Sequence, residues 1–120
     1  MSKRSEVIVA VDDDPAVLAL TAMRLRRAGF TVLEASGAEE GLRVLESRDD
    51  VSVIVSDCTM PGMRGSEMAQ IVLAFWPHIK FIATSGRPQA SDLPQEVAFI
   101  AKPYRAEVLI ATIDGLLATG

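Results

Sequence analysis

Cysteine, histidine and the larger aromatics are nearly missing from this chain, which has one Cys (Cys58), one His (His78), one Trp and one Tyr in 120 residues. A lone cysteine excludes an internal disulfide and fits a reducing compartment. A lone histidine with no cysteine nearby is a poor start for a zinc site, and His78, after Pro77 in a loop, reads as solvent-facing. No apolar run approaches the roughly 20 residues of a membrane span. No long basic stretch exists, and Lys+Arg 12 against Asp+Glu 16 gives a net charge of -4, so the chain is not built to coat nucleic acid. The N-terminal MSKRSE is short and polar, and no signal peptide follows it. The expectation is a cytoplasmic protein without direct nucleic-acid or membrane binding.

What is present is a core: hydrophobic residues make up 49% of the chain, enough for one ordinary domain spanning 1–120 with no output domain. Short apolar runs alternate with longer amphipathic stretches. VIVAV (7–11), TVLEA (31–35), VSVIVS (51–56), KFIATS (80–85) and VAFIA (97–101) read as strands. Pro15–Ala28, stopped by Gly29, then Ala38–Ser47, Ser66–Trp76 and Glu107–Leu117 read as helices. This alternation predicts an α/β fold of three layers, with a doubly wound, five-stranded parallel sheet and right-handed crossovers. One link departs from the pattern. RPQASDLPQE (87–96) holds two prolines, so the fourth helix is expected to be shortened or absent.

In open parallel sheets, sites form beyond the carboxyl ends of the strands. The first strand ends in Asp12, Asp13 and Asp14, the third in Asp57, the fourth in Thr84, Ser85 and Gly86, and the fifth in Lys102 and Pro103. Carboxylates gathered from separate strands repel unless a cation joins them, and Mg²⁺ suits such oxygen donors. An ionised Asp57 is a nucleophile able to form an acyl phosphate. Lys102 adds a point charge for phosphoryl oxygens and Ser85 a hydroxyl donor. Asp14 takes a different part: it precedes Pro15, which suits the first helical position, and an aspartate there caps the helix.

VDDDP (11–15), SDCTMPGMRG (56–65), TSG (84–86) and AKPY (101–104), in this order, resemble the receiver domain of two-component response regulators and hybrid histidine kinases. The resemblance runs from about Glu6 to the end. It implies a flavodoxin-like fold in which Asp12 and Asp13 hold Mg²⁺, Asp57 is the phosphoacceptor and the Thr59 backbone carbonyl is a further metal ligand. It implies that Ser85, rather than its neighbour Thr84, is the hydroxyl that moves toward phosphate. Lys102 is the matching lysine, Phe99 falls at the switch aromatic, and the peptide before Pro103 is expected to be cis. Thr59 and Arg87 flank the path of attacking water and tune the lifetime of the phosphoryl group. The donor is a histidine kinase or histidine phosphotransfer protein, and phosphorylation switches a protein-binding surface. The short link resembles receivers of hybrid kinases and stand-alone receivers.

Plainer readings stand beside these. Asp57 could be a turn residue, but that leaves Lys102 unexplained. Pro61, Gly62 and Gly65 shape a loop. Cys58 packs as a small residue, or is exposed beside Asp57. The outer edge of the first helix, with Arg24 and Arg27, could meet a kinase helix. Two other functions compete with the receiver. A haloacid-dehalogenase-like phosphatase would use Asp12 as nucleophile, with Asp14 completing an Asp-x-Asp pair, but a cap domain and a second late acidic pair are lacking. A scaffold of the same fold would take no phosphoryl group. A flavin-binding version is disfavoured, because no Gly- or Ser/Thr-rich loop follows the first strand.

Overall fold

The five residues VIVAV are buried on both faces of the sheet, as an apolar run without alternation requires. The computed structural model describes residues 5–58, 65–86 and 93–119. Its elements run β1 (Val7–Val11), α1 (Pro15–Arg27), β2 (Thr31–Ala35), α2 (Ala38–Ser47), β3 (Val51–Asp57), α3 (Gly65–Phe75), β4 (Lys80–Ser85), β5 (Ala98–Ala101) and α4 (Ala106–Thr119). The strands pair in parallel in the order β2-β1-β3-β4-β5. The expected α/β, doubly wound fold is therefore present. The chain reverses direction across the sheet between β1 and β3, so the carboxyl tips of those strands flank a crevice.

Each face of the sheet has its own core. Val9, Val11, Ile54 and Phe81 pack with Leu45 of α2 and Met68 and Val72 of α3. Ile8, Val53 and Ile82 pack with Leu18 and Leu25 of α1 and Leu109 and Ile113 of α4. Burial of such side chains contributes roughly 1.5–3 kcal/mol each. Between β4 and β5 no helix occurs among the described residues. Turns at 93–97 carry the chain instead, with the Val97 N–H donating to the Pro94 carbonyl at 3.1 Å. Leu93 and Val97 tuck against the α2/α3 core there.

Helix boundaries follow local chemistry. Asp14 is the N-cap of α1: its carboxylate accepts from Ala16 N–H at 2.9 Å and Val17 N–H at 3.3 Å. Pro15 occupies the first helical turn, where no N–H is needed. At the other end Gly29 takes φ 102°, and Gly29 and Phe30 N–H donate to Arg26 and Leu25 carbonyls at 3.0 and 3.2 Å. Glycine adopts that left-handed turn without the clash a Cβ would bring. Helix α2 lacks a side-chain cap on Gly37, and Glu40 reaches back to Ser36 instead. Helix α3 starts and ends one residue earlier than the pattern predicts. Helix α4 is longer than predicted, β3 extends to Asp57 and β5 begins at Ala98.

Gly41 of α2 sits against the end of β1. A Cβ there would lie 2.9 Å from Met68 Cε and 3.2 Å from a Val11 methyl.

Because Asp14 serves the helix, Asp14→Ala is expected to cost about 1 kcal/mol of stability. Urea denaturation measures this. Divalent-ion binding, followed by titration calorimetry, is expected to stay unchanged in the same variant.

Candidate functional site

The carboxyl tips of β1, β3, β4 and β5 meet at one rim. Asp12 follows β1, and its N–H donates to the Ala35 carbonyl of β2 at 3.2 Å. Its own Oδ1 accepts from Asp14 N–H at 2.9 Å. Asp57 closes β3 in register with Thr84. Asp12 and Asp57 are both buried, whereas Asp13 is exposed. Carboxylate oxygens of Asp12, Asp13 and Asp57 lie within 4.8 Å of one another. Three hard oxygen donors at this spacing fit a divalent cation such as Mg²⁺.

Lys102 reaches the same cluster from the far side of the sheet. Its Nζ donates to Asp12 Oδ2 at 3.3 Å and lies 3.6 Å from Asp57 Oδ2. The peptide between Lys102 and Pro103 is cis, as expected. The Lys102 backbone N–H donates to the Ser85 carbonyl at 2.7 Å, joining the tips of β4 and β5. Thr84 and Ser85 are both buried. The Thr84 carbonyl accepts from Cys58 N–H at 2.9 Å and from Cys58 Sγ at 3.3 Å. Cys58 is thus a half-buried packing residue, tied to the neighbouring strand.

Two titratable groups shift for opposed reasons. Burial raises the Asp12 carboxyl above its ordinary value and Asp57 adds to the rise, while the Asp14 N–H and Lys102 pull the other way. Burial alone would lower the Lys102 ammonium. Asp12 and Asp57 outweigh it, with smaller help from the hydrogen bond to Asp12 and from Tyr104, so its value rises. Tyr104 is a residue the sequence reading passed over, although it stood in the AKPY motif. It also lines a small pocket of about 10 Å³, with Asp12, Thr21 and Thr84.

Of the other expected residues, Phe99 is exposed on β5, opposite Ala83. Thr59 and Arg87 lie outside the described residues, as do Pro61 and Gly62. His78 is exposed. Among the described residues, no helix is long and apolar enough to cross a membrane.

A parallel doubly wound sheet whose strand tips offer three carboxylates, hydroxyls and a lysine defines an α/β domain of the phosphoryl-handling kind. The family model described as response regulator receiver domain matches residues 8–114, and the chain belongs to that family. It is 34% identical over 122 residues to the transcriptional regulatory protein GlrR of Escherichia coli K12, covering 98% of this chain and 27% of that protein. It is 32% identical over 119 residues to the sensor kinase CckA of Brucella abortus, covering 94% of this chain and 13% of that protein. The chain thus spans about a quarter or less of these two relatives. Among solved structures, a response regulator receiver domain from Clostridium thermocellum superposes with a TM-score of 0.86 at 26% identity, covering 92% of each chain. The receiver domain of the hybrid histidine kinase CckA gives 0.78 at 27% identity, covering 91% of this chain and 96% of that one. Receiver domains are phosphoacceptor switches of two-component systems rather than turnover enzymes.

The raised Asp12 value has a consequence for metal-free protein. A carboxyl whose folded value lies above its unfolded one destabilises the fold as it ionises, so its contribution is best at low pH and is lost as pH rises from about 4 upward. Asp12→Asn removes that loss. In EDTA, the urea midpoint of the variant is expected to exceed that of wild type at pH 7, with the gap closing toward pH 4. The opposite order at pH 7 would show that the Lys102 contact outweighs burial.

Proposed function

We propose that Asp57 accepts a phosphoryl group from a phosphohistidine of a histidine kinase or histidine phosphotransfer protein, and that this switches a protein-binding surface. A carboxylate oxygen of Asp57 attacks phosphorus, the P–O bond forms, and the P–N bond breaks with its electron pair returning to the imidazole. Asp12, Asp13 and Asp57, with the Thr59 backbone carbonyl, would hold Mg²⁺. When bound, the ion offsets the charge of the carboxylates and of the phosphoryl oxygens. Lys102 holds a positive charge where those oxygens arrive. Ser85 supplies the hydroxyl donor, and its exposed neighbour in function, Phe99, repacks by shape alone because it has no hydroxyl. Thr59 and Arg87 tune how long the phosphoryl group lasts.

One observation carries this reading. Lys102, which follows the edge strand, reaches both Asp12 at 3.3 Å and Asp57 at 3.6 Å, a meeting that no local turn explains. The phosphatase reading loses support at Asp14. Its carboxylate caps α1, so the Asp-x-Asp pair that reading needs is already divided.

Incubation with a small acyl phosphate and Mg²⁺, followed by mass-spectrometric mapping, is expected to find the modification on Asp57; modification of Asp12 would favour the phosphatase instead. Asp57→Asn is expected to abolish uptake while keeping the fold. Lys102→Ala should fold, yet lose most of the amide shift changes that beryllium fluoride with Mg²⁺ induces around residues 57 and 85. A variant that does not fold at all would make the lysine structural.

A further inference from the structure

On the sheet face that packs against α1 and α4, apolar residues give way to polar ones at the tips of three strands. Ile8 and Ala10 lead to Asp12, Val53 and Val55 to Asp57, and Ile82 to Thr84. Thr84 stands in register with Asp57. Only 2% of Thr84 is exposed, and its hydroxyl makes no hydrogen bond among the described residues. Every fully buried side-chain oxygen among those residues has a hydrogen-bond partner. The Thr84 hydroxyl has none, so it must open onto space. The space beside it is the pocket of about 10 Å³ that Thr84 lines with Asp12, Thr21 and Tyr104.

Two more hydroxyls, those of Thr21 and Tyr104, line that pocket and make no hydrogen bond among the described residues. A threonine inside a helix commonly turns its hydroxyl back to the carbonyl four residues earlier. Thr112 of α4 does so, donating to the Val108 carbonyl at 2.8 Å; Thr21 of α1 does not. Three separate parts of the chain, α1, β4 and the turn before α4, thus bring unengaged hydroxyls to one place. Asp12 completes the lining. Its Oδ1 accepts from Asp14 N–H at 2.9 Å and its Oδ2 from Lys102 Nζ at 3.3 Å, and each oxygen keeps a lone pair for a further donor.

We propose that this pocket is the site of one ordered water, and that Thr21, Thr84 and Tyr104 are positioning residues that hold Asp12 through it. The volume is about that of a single water, which needs roughly two to four polar partners to stay in place; a carboxylate and three hydroxyls are at hand. An apolar filling would leave the Thr84 hydroxyl unsatisfied. The water accepts from the hydroxyls and donates to the Asp12 carboxylate, so Asp12 has a donor that does not depend on Lys102. The functional part rests on the phosphoacceptor reading. When the Lys102 ammonium turns to incoming phosphoryl oxygens, Asp12 loses that contact but keeps the water, and its carboxylate stays aimed at the cation.

A high-resolution crystal structure of the metal-free protein is expected to show one water within hydrogen-bonding distance of Asp12 and of at least two of the three hydroxyls. A pocket without that water overturns the proposal. The positioning role is read by titration calorimetry with Mg²⁺. Thr84→Val and Tyr104→Phe should each weaken binding about three- to ten-fold, because each removes a hydroxyl that orders the water, while the urea midpoint moves little. Thr84→Ser keeps the hydroxyl and should bind as wild type does. The two losses share one water, so the double variant should bind no more weakly than the weaker single one. Unchanged affinity in both single variants overturns the positioning role, as does an affinity that falls only in step with the urea midpoint. Losses that multiply in the double variant show separate contacts and overturn the shared water. If wild type takes up no Mg²⁺, the metal reading of the cluster falls by itself, and the crystallographic water decides the proposal; phosphoryl uptake on Asp57 is mapped separately.

Discussion

Two buried carboxylates, Asp12 and Asp57, stand on neighbouring strand tips, and something positive has to sit between them. An ion pair broken at a buried site typically costs 3–5 kcal/mol, because the remaining charge is left uncompensated. Lys102 answers that need in this structure, at 3.3 Å from one carboxylate and 3.6 Å from the other. Much else follows from it. The lysine comes from the end of the edge strand, so β5 must pair with β4 in a fixed register for its ammonium to arrive. The carboxylates need adjacent strands, so β1 and β3 must be neighbours in space though separated in sequence by β2.

The same requirement explains why charge can be concentrated without unravelling the strand end. The three consecutive aspartates take different places. Asp12 turns inward to the lysine, Asp14 is spent on the first helical turn, and Asp13 stays at the surface. Burial pushes the Asp12 carboxyl upward even with the ammonium beside it, so the cluster is under electrostatic load when it holds no ion. A second cation finds partners already gathered, and little chain entropy remains to be lost in collecting them.

Much of this was legible beforehand, and the reasons differ from residue to residue. VIVAV and KFIATS were readable because a strand covered on both faces tolerates no polar alternation. Asp14 and Pro15 announced the start of α1 through chemistry confined to adjacent residues. The turns among the described residues between β4 and β5 agree with what the two prolines of that link announced. Less local features were not readable. Glu40 capping back to Ser36 depends on how the chain enters α2. The part of Tyr104 depends on its nearness to Lys102 and to the small pocket it lines with Asp12, which only the folded rim creates. At the site, the candidate carboxylates and lysine could be named from strand endings, but that Lys102 bonds Asp12 and only approaches Asp57 is a fact of side-chain geometry.

The 2.7 Å bond from the Lys102 N–H to the Ser85 carbonyl ties two of the rim's reactive side chains through their backbones. Neither can shift far without dragging its neighbour's strand along. If Ser85 moves on phosphorylation of Asp57, as proposed, this backbone bond hands the movement to β5, where Phe99 lies three residues upstream of the lysine.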